Sequence, residues 1–196
     1  KEELGLEMLD TGASRAFAVA DHQVAHIYFN RNEDSSFRDE VKKFLEKTEG
    51  MQSVLDPAAK RGLGVDHERS GDLIAVAKEN AWFTYYYWLD DSRAPDFART
   101  VDIHRKPGFD PAELFIDPQI VFPRLRIAYR LLQNKLGLRM LMDVIPLDAS
   151  LVKGSHGCRP ANRSDWPLCI APNENWLEGE VLKSTEIHNV ILKAVG

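Results

Sequence analysis

A histidine in a glycine-rich loop is the clearest sign of chemistry in this chain. Lys153-Gly154-Ser155-His156-Gly157 follows a predominantly apolar run. Glycine removes side-chain bulk and permits backbone angles that other residues resist. The imidazole of His156 can therefore reach a group close to the backbone, such as a metal ion. The competing interpretation is a loop histidine in a tight turn, because a single histidine is a weak sign of a site.

A second candidate lies in a segment with an acid, an imidazole and two cations. Asp102 and His104 are two residues apart, so they point to the same side of an extended chain. They could converge there on a metal, a phosphate or a substrate hydroxyl. Arg105 and Lys106 add positive charge that suits a phosphate. The alternative is a surface loop with an ordinary ion pair.

Two further groups are open to a functional and a structural interpretation. Asp21, His22 and His26 form a polar cluster, but nothing in the sequence forces them onto one face, and a polar strand end is the alternative. The aromatic run from Trp82 to Trp88 could stack a nucleobase or another ring, or could pack as core and cross-strand pairs. Asp90 and Asp91, which follow it, suit either general acid–base catalysis or a solvated strand end.

The elements that must position these residues begin with a small lobe. A short apolar run predicts a strand over 16–20, and β-rich residues predict another over 24–29. Ser36 with Asp39 resembles a capping box that opens a helix, with Phe37, Val41, Phe44 and Leu45 on one face and Gly50 as its stop. A strand over 51–55, a helical turn capped by Asp56 with Pro57 at its first position, and a hairpin of strands 71–77 and 81–89 complete an α+β lobe.

The rest of the chain leads to the His156 loop. Residues 93–118 predict a long, ordered loop. A helix over 123–136 with Leu125, Ala128, Leu132 and Leu136 on one face, and a strand over 140–145, precede the histidine. A short strand over 169–171 and a helix capped by Thr185 follow it. We therefore expect an α/β segment over 1–150, with the lobe inserted at roughly 14–118, and a second part over 151–196.

Several of these segments resemble one enzyme family. Gly154-Ser155-His156-Gly157 followed by Trp166-Pro167-Leu168-Cys169-Ile170-Ala171-Pro172 is similar to the C-terminal end of the type I phosphodiesterase/nucleotide pyrophosphatase branch of the alkaline phosphatase superfamily. The segments 14–23, 82–89 and 101–108 resemble a bacterial subgroup of these predicted enzymes. The resemblance covers roughly residues 12–195, and only the Gly-x-His-Gly loop carries a ligand with a stated role.

The resemblance implies a fold, a reaction and a cofactor. The fold is α/β: the C-terminal portion of an alkaline-phosphatase-like α/β/α sandwich with a small α+β lobe. His156 corresponds to the last histidine ligand of a two-metal centre, which implies two zinc ions in the intact enzyme. Such enzymes hydrolyse phosphate esters or anhydrides in small-molecule substrates.

The same resemblance indicates what the chain lacks. Family members are much longer, and their threonine or serine nucleophile and most metal ligands precede the part seen here. No Asp-Gly strand end with a Thr or Ser helix cap is present, and Asp21-His22-Gln23 departs from Asp-His-Gly at its third position. The chain begins at Lys1. We therefore expect a fragment that is inactive without the missing N-terminal part of the same protein.

Two other function classes stay open. One is a non-enzymatic module that uses the aromatic lobe to bind a ligand or partner. The other is a phosphonate or sulfate ester hydrolase on the same scaffold.

Composition restricts the kinds of partner that we expect and the cellular compartment. The 196 residues, with 44% hydrophobic and 28% charged residues, suit one substantial core and contain no long apolar stretch for a membrane span. The net charge of −5 argues against general nucleic-acid binding. The two cysteines, Cys158 and Cys169, flank residues 159–168, and so low a count favours free thiols in a reducing cytoplasm.

Overall fold

The computed structural model describes residues 1–102 and 106–195. Within these residues the chain is a mixed α and β protein with two antiparallel sheets and four α-helices. It divides into two compact units, Lys1–Arg159 and Pro160–Gly196, here called the first and second units. The boundary follows Arg159, whereas the division expected from the sequence follows residue 150.

A four-stranded antiparallel sheet organises the first unit. Its strands are β3 (Ala16–Asp21), β4 (Val24–Phe29), β5 (Met51–Leu55) and β6 (Leu73–Ala77), in the order β3-β4-β6-β5. A short hairpin of β1 (Glu2–Glu3) and β2 (Leu6–Glu7) precedes it. The predicted strands over 16–20, 24–29, 51–55 and 71–77 are thus confirmed, the last with a later start.

Two helices accompany this sheet, and each begins at an aspartate. Helix α1 (Ser35–Lys47) is capped by Asp34, which accepts a hydrogen bond from the Phe37 amide, so the predicted Ser36–Asp39 capping box is wrong. Helix α2 (Pro57–Leu63) is capped by Asp56, with Pro57 in its first turn as predicted. Aspartate suits these positions because its carboxylate satisfies amides that lack a partner within the helix.

The main core lies between α1 and one face of the sheet. Ala25, Ile27 and Phe29 of β4 are buried, while the residues between them are half-buried. Three apolar residues of α1 pack against this face, namely Phe37, Val41 and Leu45. Phe44, which was expected beside them, is 70% exposed. The period-two burial of β4 leaves Val24, His26 and Tyr28 on the opposite face.

A second core forms from the aromatic run, but not as a strand. Tyr85 and Trp88 are buried and cluster with Ala98 and Leu147. No strand forms over residues 81–89, so the predicted hairpin is wrong. Because Tyr85 and Trp88 are core residues, the packing interpretation of this run holds for them.

The remaining part of the first unit is largely irregular. Helix α3 (Pro123–Lys135) forms as predicted, yet Leu125, Leu132 and Leu136 are each more than half exposed. The predicted strand over 140–145 is absent, although Val144 and Ile145 are buried. The described part of residues 93–118 contains short 3-10 turns and an isolated bridge from Gly108 to Ala20, consistent with the predicted loop.

The second unit contains three 3-10 turns and helix α4 (Ile187–Val195). The predicted strand over 169–171 does not form. Thr185 lies within the turn Ser184–Glu186 rather than at a cap, and Lys183 occupies the position before that turn. The expected C-terminal helix is nevertheless present.

Candidate functional site

The candidate site begins at the two-residue turn between β3 and β4. His22 and Gln23 form this turn, and the register pairs Asp21 with Val24 on either side of it. His22 has a φ of 55°, in the left-handed region that a tight hairpin requires and that non-glycine residues seldom occupy. The tight turn thus fixes the position from which the His22 ring projects.

The glycine-rich loop is fixed against this turn. The Gln23 amide donates to the His156 carbonyl at 2.9 Å, and the Cys158 amide donates to Gln23 Oε1 at 3.2 Å. Gly157 has a φ of 124°, and a Cβ atom there would lie 3.0 Å from Val24 Cγ2. A glycine is therefore required at 157 by both its backbone angle and the close approach to β4.

This contact brings together the imidazoles of two distant sequence segments. The ring centroids of His22 and His156 lie 4.0 Å apart, with an angle of 36° between the ring planes. His22 Nδ1 is 3.1 Å from Ser155 Oγ, with donor and acceptor roles that depend on the tautomer. The His22 ring also lies 4.5 Å from that of Phe109. His156 itself is exposed, so its ring is accessible.

Gln23 is the residue of the candidate site that the sequence did not indicate. Its side chain is buried, and its amide nitrogen donates to the carbonyls of Lys78, Glu79 and Ala81 at 3.1, 3.2 and 3.1 Å. One side chain thus links the hairpin turn, the segment after β6 and the histidine loop. Its position at a turn, where exposed polar residues are usual, gave no sign of this burial.

The environment of His22 favours a neutral imidazole. Burial lowers the pKa of His22, and the nearby His156 lowers it further, while Asp21 acts in the opposite direction. A neutral imidazole is the form that binds metal ions or accepts a proton. His22 can therefore offer a ring nitrogen to an electrophile near neutral pH.

The other members of the predicted polar cluster lie apart from this pair. His26 is on β4, where its Nδ1 accepts a hydrogen bond from the Gly71 amide at 3.0 Å. Asp21 is exposed at the end of β3. The three residues do not form one site.

The Asp102–His104 candidate is only partly described. His104 and Arg105 lie outside the described residues. The Asp102 amide donates to Glu113 Oε1 at 3.3 Å, and Glu113 and Asp110 both pair with the buried Lys106. Lys106 is thus committed to a buried ion-pair cluster rather than to an exposed phosphate site.

The aspartates after the aromatic run have local structural contacts. Asp90 accepts hydrogen bonds from the Ser92 amide and hydroxyl, and Asp91 Oδ1 accepts one from the Trp88 indole at 2.8 Å. These contacts favour a structural role for both residues.

Two cavities flank the histidine loop. One, of about 390 Å³, is lined by Trp82 and Thr84 together with Lys153, Gly154 and Ser155. The other, of about 470 Å³, includes Gly157 and Arg159 and lies on the open face of the sheet. His156 thus lies between residues 153–155, which line the first cavity, and Gly157, which lines the second.

The described residues do not complete a metal site. No group of three or more His, Cys, Asp or Glu side chains in residues 1–102 and 106–195 is arranged to hold a metal ion. His22 and His156 supply two imidazoles, whereas a tetrahedral zinc site needs at least three protein ligands. Cys158 and Cys169 are both free thiols, as expected.

Comparisons with known proteins do not assign the chain. No protein-family model matches it, and no curated protein matches it. Among the described helices, none combines the length and apolar character needed to cross a membrane.

Proposed function

We propose that this chain is the C-terminal part of a metal-dependent hydrolase, similar to phosphodiesterases and nucleotide pyrophosphatases, that acts on phosphate esters or anhydrides. The observation that carries the proposal is the position of His156, whose ring lies 4.0 Å from that of His22. Both residues belong to segments that resemble this family.

The rigidity of the loop supports a ligand role for His156. A ligating imidazole must be held in one place before the metal binds. The His156 carbonyl and the Cys158 amide are both hydrogen-bonded to Gln23, so the backbone on each side of the ring is fixed. Polar residues in surface turns are usually exposed, whereas Gln23 is buried and has four polar partners.

The proposal requires groups that this chain does not supply. The remaining ligands for the two zinc ions and the nucleophilic hydroxyl would come from the missing N-terminal part of the same protein. In that enzyme the metal ions would polarise the phosphoryl group. The antiparallel sheet would be the α+β lobe, attached to an alkaline-phosphatase-like sandwich in the cytoplasm.

Zinc titration of the chain, followed by calorimetry, tests the ligand role. Two imidazoles should give weak binding, with a Kd on the order of 10 µM or weaker. His156→Ala should weaken it by about tenfold or more, while His67→Ala, which alters an exposed histidine of the same unit, should leave it unchanged. Equal zinc affinity in wild type and His156→Ala, with intact circular dichroism, would exclude His156 as a ligand.

Assays of activity test the reaction separately. The chain alone should not hydrolyse bis(4-nitrophenyl) phosphate, with or without zinc, because the nucleophile is absent. In the longer enzyme, His156→Ala should lower the metal content and the turnover together. Turnover that follows the purified chain through successive columns would contradict this assignment of missing parts.

A non-enzymatic binding module is the second candidate. It is favoured by exposed apolar residues along α3 and at its C-terminal cap, since Leu125, Leu132 and Leu136 are each more than half exposed. Zinc binding that does not depend on His156, together with an inactive longer protein, would favour this candidate.

A further inference from the structure

We propose that the 470 Å³ cavity on the open face of the sheet binds a small apolar molecule that carries a carboxylate. This cavity is separate from the His22–His156 pair, and its occupant is independent of the proposed hydrolase activity. The volume lies in the range of small-molecule sites in proteins.

The cavity wall is mainly aliphatic, although His26, Gln52, Ser53 and Arg159 also line it. The aliphatic side chains come from the sheet face opposite α1, from the end of α2 and from the two residues after that helix. On the sheet, period-two alternation places side chains of β4, β5 and β6 on this face. The aliphatic lining residues are Val24, Leu55, Leu63, Val65, Ile74 and Val76. Such a surface gains free energy when an apolar body displaces water from it.

One polar group in the wall has a defined role. His26 Nδ1 accepts a hydrogen bond from the Gly71 amide at 3.0 Å. The neutral ring must therefore carry its proton on Nε2, which makes His26 a hydrogen-bond donor to an occupant. An acceptor oxygen is the matching group on the ligand.

The charge around the cavity selects an anion. Arg159 lines the cavity, and its guanidinium is always charged and suited to bidentate pairing with a carboxylate. Lys60 is buried, and its Nζ donates at 2.6 Å to the carbonyl of Gly71, the residue whose amide pairs with His26. No described lining residue is an aspartate or glutamate. An apolar carboxylate therefore matches both the walls and the cationic rim.

Calorimetric titration with 4-phenylbutyrate, and with 4-phenylbutanol as its neutral analogue, tests the proposal. The carboxylate should bind saturably and at least about fivefold more tightly than the alcohol, as expected for one charge-assisted pair. Arg159→Gln should weaken the binding of 4-phenylbutyrate by about five- to tenfold and remove most of the preference over the alcohol.

Two further variants keep the result interpretable. Arg31→Gln removes an exposed arginine beyond the far end of β4 and should leave the affinity unchanged. Leu63→Glu places an acid at a lining position that is 53% exposed, so the fold should tolerate it, and it should weaken carboxylate binding.

Three results would overturn the proposal. They are the absence of saturable binding at millimolar 4-phenylbutyrate, equal affinity for the acid and the alcohol, and an unchanged affinity in Arg159→Gln. None of them bears on zinc binding by His156, so failure here is distinct from failure of the proposed hydrolase.

Discussion

At the scale of single residues, Gln23 is the side chain that joins the segments of the candidate site. It is 4% exposed and makes four side-chain hydrogen bonds to backbone groups of two other segments. Leaving such groups buried without a partner costs far more than the net gain from any one of the bonds. The geometry of the His22–His156 pair therefore depends on a residue that need not touch a substrate.

We expect Gln23→Leu to lower the free energy of unfolding by about 2–4 kcal/mol, because several backbone groups lose their partner at once. Urea denaturation measures this change. Gln119→Leu, at an exposed position, should shift it by less than about 0.5 kcal/mol. A Gln23→Leu loss as small as that of the control would show that water replaces the glutamine.

The two imidazoles should be electrostatically coupled. Burial and the proximity of His156 lower the pKa of His22, so His156→Gln should raise it towards its ordinary value. His67→Gln should not. An NMR titration of the ring protons between pH 4 and 8 measures the shift. An unchanged His22 pKa in His156→Gln would show that the rings are farther apart in solution.

The lowered pKa of His22 also makes the stability of the folded state depend on pH. Because the folded state disfavours protonation of His22, its stabilising contribution is fully present above the ordinary histidine pKa of about 6.5. It is lost as the pH falls from there through the lowered folded-state value.

At the scale of elements, ion pairs join helix α3 to the segment after it. Arg126 and Arg130 both pair with Asp143, and the Arg130 contacts measure 2.8 Å. Partial burial raises the pKa of Asp143, but the hydrogen bonds from Arg130 and Arg126 outweigh it and lower the pKa to about 2. The Asp143 carboxylate thus accepts hydrogen bonds from arginines on two successive turns of the helix.

We expect Asp143→Asn to lower the free energy of unfolding by about 1 kcal/mol at neutral pH, a value reduced for the exposure of Arg126. Since the folded-state pKa is depressed, the difference from wild type should persist above pH 4 and vanish as the pH falls towards 2. Denaturation series at several pH values measure it. Asp165→Asn, in the second unit, is the matched control. A difference that stays constant down to pH 2 would contradict the ion-pair account.

Elements with a clear local signal could be predicted from the sequence, and those that depend on distant partners could not. A short apolar run predicted β3, β-rich residues predicted β4, and Asp56-Pro57 predicted the start of α2. The 81–89 run has β-rich residues, yet it does not pair with β6: the Phe83 amide donates to the His22 carbonyl at 2.7 Å, and Tyr85 and Trp88 are buried in the second core. The glycines identified the His156 loop, but no local pattern linked it to His22.

At the scale of the whole molecule, the two units differ in how many of their residues are buried. The buried residues of the described chain all lie in the first unit, and none of residues 160–195 is buried. Leu168 and Ile170 are about 90% exposed. A unit without a buried core has little to oppose local opening.

Hydrogen–deuterium exchange should therefore separate the two units. Amides of α4 should exchange by local opening at least about a hundredfold faster than those of β4 and β6, since their protection lacks the support of a core. Mass spectrometry of peptides resolves both regions in one experiment. Equal protection would mean that a partner or further contact covers the second unit.

The hairpin turn and the histidine loop are joined across 133 residues of chain, and this has a consequence for folding kinetics. Closing a loop of that length in an otherwise unformed chain costs about 4 kcal/mol of entropy. The sheet, whose strands are near neighbours in sequence, should therefore form first, and the histidine loop should dock after the rate-limiting step. Substitutions at the junction would then accelerate unfolding while leaving the refolding rate nearly constant. The time for which the two imidazoles stay together would be set by the lifetime of the native state.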